Sequence, residues 1–340
     1  MRMKNLGKTI MAATLAFAAP TTLSAQDNSY LKQFDTALGT ELRAPQSFDA
    51  IYDNAFEQRL AELADGSNGR IGVAAVDLTS GQMVTVLGDQ RFPMASTSKI
   101  AVAATFLEGV EKGKWSLTSE FPLLLPRKSA RFSSKVAPVY EGEYMKAIDL
   151  IEIMITRSSN PATDALLRVV GGPDAVNDWV RRQGIKDFSI DRDIATLVRD
   201  DGEYDPAQHI DKRDSATPKA MLDLLSGLYQ GKFLKPESRR VLLGAMSRTR
   251  TGKRRIPALM PESVRVSHKT GSLNNTSSDV GILETPDGRA VAVAIYVTGQ
   301  GSRLNREAKI AQIARAIHDG YSAQTNNPKR VWTNADFGGK

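Results

Sequence analysis

Phe92-Pro-Met-Ala-Ser-Thr-Ser-Lys99 runs without a break into Ile100-Ala-Val-Ala-Ala-Thr-Phe-Leu-Glu-Gly-Val110. The second run is apolar, Ala-rich and made of good helix formers. Positions i and i+3 of a helix share one face, so this spacing sets Lys99 one turn above Ser96 at the helix start. A serine hydroxyl is a weak nucleophile. A neighbouring lysine becomes its base when burial or a second cation lowers the lysine pKa. The positive end of the helix dipole also favours negative charge developing beside Ser96. Alone, S-x-x-K says little: it recurs at Ser29-Tyr-Leu-Lys32, in a polar stretch with no chemistry around it.

Upstream, residues 48–64 place Ile51, Ala55, Leu60 and Leu63 at helical spacing, and Gly66-Ser-Asn-Gly69 ends that helix. Residues 71–77 and 83–87 flank Thr79-Ser-Gly81 and read as a strand hairpin. Downstream comes a less regular middle over 117–144, then helices over 147–156, 161–170 and 175–183. A long polar loop over 191–216 precedes helices over 219–228 and 236–246. The chain then turns to strands over 264–268, 278–284 and 290–298, with a Thr285-Pro-Asp-Gly288 turn, and closes on a helix over 305–321 and a polar tail.

Strands near both ends with helices between them predict an α+β fold. We expect an antiparallel sheet of about five strands, flanked by helices, with an inserted all-helical domain and a cleft at the junction. The catalytic domain spans 48–323, its sheet part from 48–90 and 260–323 and its helical part from 91–259. Residues 26–47 form a polar N-terminal segment and 324–340 a polar tail.

Residues 1–25 read as a secretory signal, with Lys4 and Lys8, an apolar run over 10–19 and Leu23-Ser-Ala25 as the cleavage site. An uncleaved N-terminal anchor is the alternative. The apolar run is too short to span a bilayer, and no other stretch could. The expected location is therefore periplasmic or secreted. The absence of cysteine excludes disulfides and thiol catalysis. His209, His268 and His318 lie far apart without metal-ligand spacing, so no metal or cofactor is expected. The net charge is +7, with clusters at Arg248-Thr-Arg250 and Lys253-Arg-Arg255. Without interleaved aromatics or a known motif these do not read as a nucleic-acid site, and a solvated face is the simplest reading.

Two further motifs follow Ser96 in order. Ser158-Ser159-Asn160 lies between two helices, and Lys269-Thr270-Gly271 ends a predicted strand. S-x-x-K, S-x-N and K-T-G in this order resemble the set found in class A β-lactamases and penicillin-binding proteins. The resemblance is to the class A β-lactamase branch and covers roughly residues 48–321. It includes the first hairpin, the run from Phe92 to Thr97, the segment Met154-Ile-Thr-Arg-Ser-Ser-Asn160, and Asp214-Ser-Ala-Thr-Pro-Lys-Ala-Met221, which resembles the segment closing the family's omega loop.

The resemblance implies β-lactam opening through an acyl-enzyme on Ser96, with backbone N–H groups of Ser96 and Ser272 as the oxyanion hole. Lys99 would take the serine proton and Ser158 would relay one to the leaving nitrogen. Lys269, Thr270 and Gly271 would border a substrate carboxylate, and Asn160 would bind the side-chain amide. The partner would be a β-lactam or a peptidoglycan fragment, met by a monomer. Arg192 would pair with Asp214 at the neck of the omega loop.

Two features depart from the family pattern. Ser159 replaces an aspartate that is mainly structural. Ile194 stands two residues beyond Arg192, where the family carries the glutamate that activates water for deacylation. Three readings stay open. An acid of the longer loop, Glu203 or Asp193, replaces that base; or deacylation is slow and the chain is a penicillin-binding D,D-peptidase; or it is a non-catalytic binding module. Residues 273–279 also lack the arginine that many relatives use as a second carboxylate anchor, for which Arg303 or Arg306 is the substitute.

Overall fold

The computed structural model describes residues 40–42 and 55–325. The signal, Ser29–Lys32 and the last residues lie outside the described residues, as does the start of the first predicted helix. The first described helix, α1, covers Ala55–Leu63.

The centre is a five-stranded antiparallel sheet: β1 (Ile71–Asp77), β2 (Met83–Val86), β3 (Arg265–Leu273), β4 (Thr276–Glu284) and β5 (Ala290–Thr298). Their spatial order is β3-β4-β5-β1-β2, so strands from both chain ends interleave. β5 is buried along its whole length, because both faces of the sheet are covered. The two-residue period divides it cleanly. Ala292, Ala294 and Tyr296 join the core on the helical side, while Val291, Val293, Ile295 and Val297 join the core beneath α1 and the terminal helix α9 (Arg303–Thr325). α9 therefore continues past the predicted boundary at 321.

Between the two halves of the sheet lie the other helices. They are α2 (Lys99–Glu111), α3 (Ala147–Thr156), α4 (Asn160–Val170), α5 (Pro173–Arg182), α6 (Ile194–Arg199), α7 (Pro218–Gln230) and α8 (Pro236–Ser247). α2 is apolar nearly all round and is the buried axis of this half. Pro161 and Pro218 stand in the first turns of α4 and α7, where a missing N–H costs nothing, and Ser159 and Thr217 cap those helices by accepting from Ala162 and Ala220 N–H.

Three boundaries differ from expectation. The less regular middle holds an antiparallel ribbon of Glu120–Pro126 with Val139–Lys146, so the inserted part is not purely helical. Its alternation is interrupted by a register shift between Pro122 and Leu124. The polar loop contains α6 and a short strand, His209–Asp211, which pairs with Thr40–Leu42. β3 runs on through Lys269-Thr270-Gly271 to Leu273, because the polar motif pairs its backbone with β4. Among the described residues no helix is long and apolar enough to cross a membrane.

Candidate active site

The nucleophile turn is built from the strand-to-helix corner. Phe92–Pro93 pairs with Ser215–Ala216, which ties the approach to Ser96 to the far end of the 191–216 loop. Ala95 then takes φ 49°, and a 3-10 turn, Ala95–Ser98, leads into α2. Thr97 Oγ1 donates to Met94 O (2.8 Å) and Ser98 Oγ to Ala95 O (2.8 Å). These two buried side chains pin the turn, while Ser96 between them is half-buried. β3 comes so close that a Cβ on Gly271 would stand 2.6 Å from Met94 O and 2.4 Å from Ser278 Oγ. Only glycine allows that approach.

Ser158 occupies the α3–α4 junction at φ 60°, a region few non-glycine residues adopt. The turn is held by Ser159 N–H donating to Ile153 O (3.1 Å). It aims Ser158 at two lysines. Lys99 Nζ donates to Ser158 O (2.7 Å) and Asn160 Oδ1 (2.7 Å) and lies 3.2 Å from Ser158 Oγ. Lys269 Nζ donates to Ser158 Oγ (2.9 Å) and Thr270 O (2.9 Å). Both lysines have no exposed surface. Burial lowers Lys99 to about 7, opposed by the Asp164 charge. Burial lowers Lys269 well below the ordinary lysine value, and the like charge of Lys99 adds to the effect.

The neck of the loop forms as expected. Arg192 Nε donates to Asp214 Oδ2 (2.6 Å), and Asp214 Oδ1 accepts from the N–H groups of Asp191 (2.8 Å) and Arg192 (3.1 Å). Ile194 is buried, and the loop acids have other tasks. Asp193 caps α6 by accepting from Thr196 N–H (2.7 Å). Asp200 holds Arg199 and the Phe132 N–H, and Asp201 accepts from Asn274 N–H. Glu203 pairs with Arg213 at 2.7 Å on the loop itself. Thus Glu203 and Asp193 are not brought into the lysine–serine network.

Sequence reading missed two charged groups. Arg255, one of the residues assigned to a solvated basic face, is 1% exposed. Its Nη1 donates to Gly271 O (2.7 Å) and Ser278 O (2.7 Å), and its Nη2 to Ser272 Oγ (2.7 Å). Glu307 balances it at 3.2 Å. Arg303 turns to Glu307, and Arg306 to Asn275 and Gly299, so Arg255 is the arginine that lies against the K-T-G strand. No local pattern separates it from Lys253 and Arg254. The second is Asp164 on α4, buried and accepting from the N–H groups of Ile194 (2.7 Å) and Ala195 (2.9 Å). Its carboxyl is pushed up to about 7, chiefly by burial.

Chemically, a half-buried serine one turn before a neutralisable lysine, with a second serine between two lysines, can pass a proton from nucleophile to leaving group. Comparison with known proteins identifies the family. A model of the β-lactamase enzyme family matches residues 55–321. β-Lactamase CTX-M-8 of Citrobacter amalonaticus is 31% identical over 274 residues, covering 79% of this chain and 90% of the relative. β-Lactamase SME-1 of Serratia marcescens is 29% identical over 248 residues, covering 72% of this chain and 81% of the relative. A crystal structure of a β-lactamase from Chitinophaga pinensis superimposes with TM-score 0.69 at 29% identity, covering 79% of this chain and all of the other. A variant of the last common ancestor of Gram-negative class A β-lactamases gives 0.68 at 32% identity, covering 80% of this chain. With the sheet order, the three motifs and these likenesses in hand, the chain belongs to the class A β-lactamase family.

Proposed function

We propose that this chain is an exported serine hydrolase that opens β-lactam rings through an acyl-enzyme on Ser96, with an atypical deacylation step. The observation that carries the reading is Ser158 Oγ held between two buried lysines of lowered pKa. Neutral Lys99 Nζ takes the Ser96 hydroxyl proton as Oγ bonds to the lactam carbonyl carbon. Ser158 passes a proton to the lactam nitrogen as the C–N bond breaks, and Lys99 is returned to its neutral form. The N–H groups of Ser96 and Ser272 stabilise the oxyanion.

Lys269, Thr270 and Gly271 border the substrate carboxylate. Ser272 assists: its hydroxyl already accepts from Arg255, so its own proton is free to point at that carboxylate. Asn160 keeps its amide N–H groups for the acyl side chain, since its Oδ1 is occupied by Lys99. The protein acts as a monomer on a small molecule and needs no cofactor.

A D,D-peptidase acting on peptidoglycan stem peptides uses the same acylation residues. Buried Ile194 favours it, because an isoleucine cannot activate water. Turnover and intact mass, followed together with a chromogenic cephalosporin and a penicillin, separate the two. Sustained turnover lost in Ser96→Ala supports the β-lactamase; a long-lived Ser96 adduct supports the peptidase. No adduct and no turnover would leave a binding module.

A further inference from the structure

The site lacks a loop carboxylate, yet a buried acid stands one helical turn beyond Asn160. Asn160 and Asp164 are i and i+4 on α4 and share a face. Asn160 Oδ1 holds Lys99 Nζ at 2.7 Å. Asp164 is 4% exposed and binds the backbone of the loop at Ile194 and Ala195, the place from which a loop acid would project.

We propose that Asp164 is the positioning residue for Lys99: the two form one acid–base unit, so that Lys99 serves as base both for Ser96 and for the water that releases the acyl group. This rests on the acyl-enzyme reading above. The proton balance closes. Once the Ser96 proton has gone to the lactam nitrogen, Lys99 is neutral again. Water then attacks the ester carbonyl, gives its proton to Lys99 Nζ, and Ser96 Oγ leaves and recovers that proton.

Asp164 stabilises the lysinium formed in each half. It is the acid whose charge is felt at Lys99, and burial pushes the two toward each other, Lys99 down and Asp164 up, each to about 7. The other charges facing the pair are Lys269 from β3, which repels Lys99, and Asp193 from the loop, which repels Asp164. Arg255 and Asp279 act on Lys269 in opposite senses, the arginine lowering it and the aspartate raising it.

The test is the pH profile of acylation, read as adduct formation by intact mass between pH 5 and 9, together with the rate of adduct release. In the parent the acid limb should have its midpoint near pH 7. Asp164→Asn removes the negative charge, so Lys99 loses its proton more readily and the limb moves down by about one unit. Plateau rates of acylation and release should both fall about tenfold or more, with KM little changed. Asp193→Ala removes the charge that opposes Asp164 ionisation, so the limb should move up. Opposite shifts support the proposal.

A purely structural role predicts otherwise. A loosened loop would hydrate Lys99 and move both limbs up, and that result, or an unmoved limb in either folded variant, overturns the proposal. Should Asp164→Asn not fold, the titration of the Asp164 carboxyl, read by difference infrared spectroscopy in the parent and in Lys99→Met, decides instead: it should move up when the lysine is removed, and an unmoved titration overturns the proposal. A parent that forms no Ser96 adduct at any pH would overturn the acyl-enzyme reading itself, and the Asp164 role with it.

Discussion

Ile194→Glu returns an acid to the position two residues after Arg192, and its cost can be worked from the surroundings. Ile194 is 4% exposed, and its side chain contributes about 2–3 kcal/mol through burial. The new carboxyl would enter beside Asp164, whose oxygen already accepts the Ile194 N–H at 2.7 Å. Two carboxylates about 6 Å apart repel by about 3 kcal/mol at an effective dielectric near 20, so one of them keeps its proton at neutral pH. The single variant should therefore lose about 3–5 kcal/mol of stability and release its acyl group little faster than the parent. The double variant Ile194→Glu/Asp164→Asn removes the repulsion. It should be more stable than the sum of the single effects by about 1–3 kcal/mol, and the glutamate, now ionised, should shorten the lifetime of the adduct. Urea unfolding measures the coupling and time-resolved intact mass measures the lifetime. Additive stabilities would refute the reasoning, because they would mean that Asp164 and position 194 do not share one electrostatic environment.

Other consequences follow from single contacts. Arg192→Ala strands the buried Asp214 carboxylate, which Arg192 holds down against burial; urea stability should drop by about 2–4 kcal/mol, with protease cutting appearing first between 191 and 216. Arg255→Lys keeps a charge for Glu307 but cannot span Gly271 O, Ser278 O and Ser272 Oγ together, so KM for carboxylate-bearing substrates should rise about tenfold with kcat less affected. Lys99→Met removes a group whose folded pKa, about 7, lies below its unfolded value of 10.5. Burial of Lys99 thus penalises the fold fully below pH 7, and the penalty fades as pH rises to 10.5. The stability of Lys99→Met relative to the parent should accordingly fall by about 4 kcal/mol between pH 7 and pH 10, checked by urea unfolding at both.

Much of the fold was legible where local pattern and tertiary packing demand the same residues. The apolar runs of β1 and β5 and the Ala-rich α2 are buried on every side, so their composition announces their place. The helix starts read at residues 161 and 219 lie within a residue of the observed starts of α4 and α7. Less legible was anything decided by a distant partner. The ribbon pairs an apolar, half-buried strand broken by proline, Glu120–Pro126, with a largely exposed one, Val139–Lys146, so no hydrophobic alternation advertises it. Arg255 reads like its basic neighbours because what buries it is β3, β4 and Glu307 of α9, remote in sequence. Asp164 reads like any helical acid, since its partners Ile194 and Ala195 lie thirty residues on. The absence of a glutamate two residues after Arg192 was plain in the sequence, but the place of the negative charge was not.

That relocation has a mechanical consequence. A carboxylate carried by an omega loop changes its distance to the nucleophile whenever the loop moves, so acid–base function and loop order are coupled. Asp164 instead projects from α4, whose buried face packs in the helical core and whose first residue, Asn160, already holds Lys99. The charge that acts on Lys99 is then fixed by the same rigid helix that positions Ser158 and Asn160, and the loop is the partner that binds to it rather than its carrier. Loosening the loop should therefore leave acylation largely intact while altering the fate of the adduct. Arg192→Ala puts this to the test: a fall in acylation as large as the fall in release would show that the loop, and not α4, governs the charge state of Lys99.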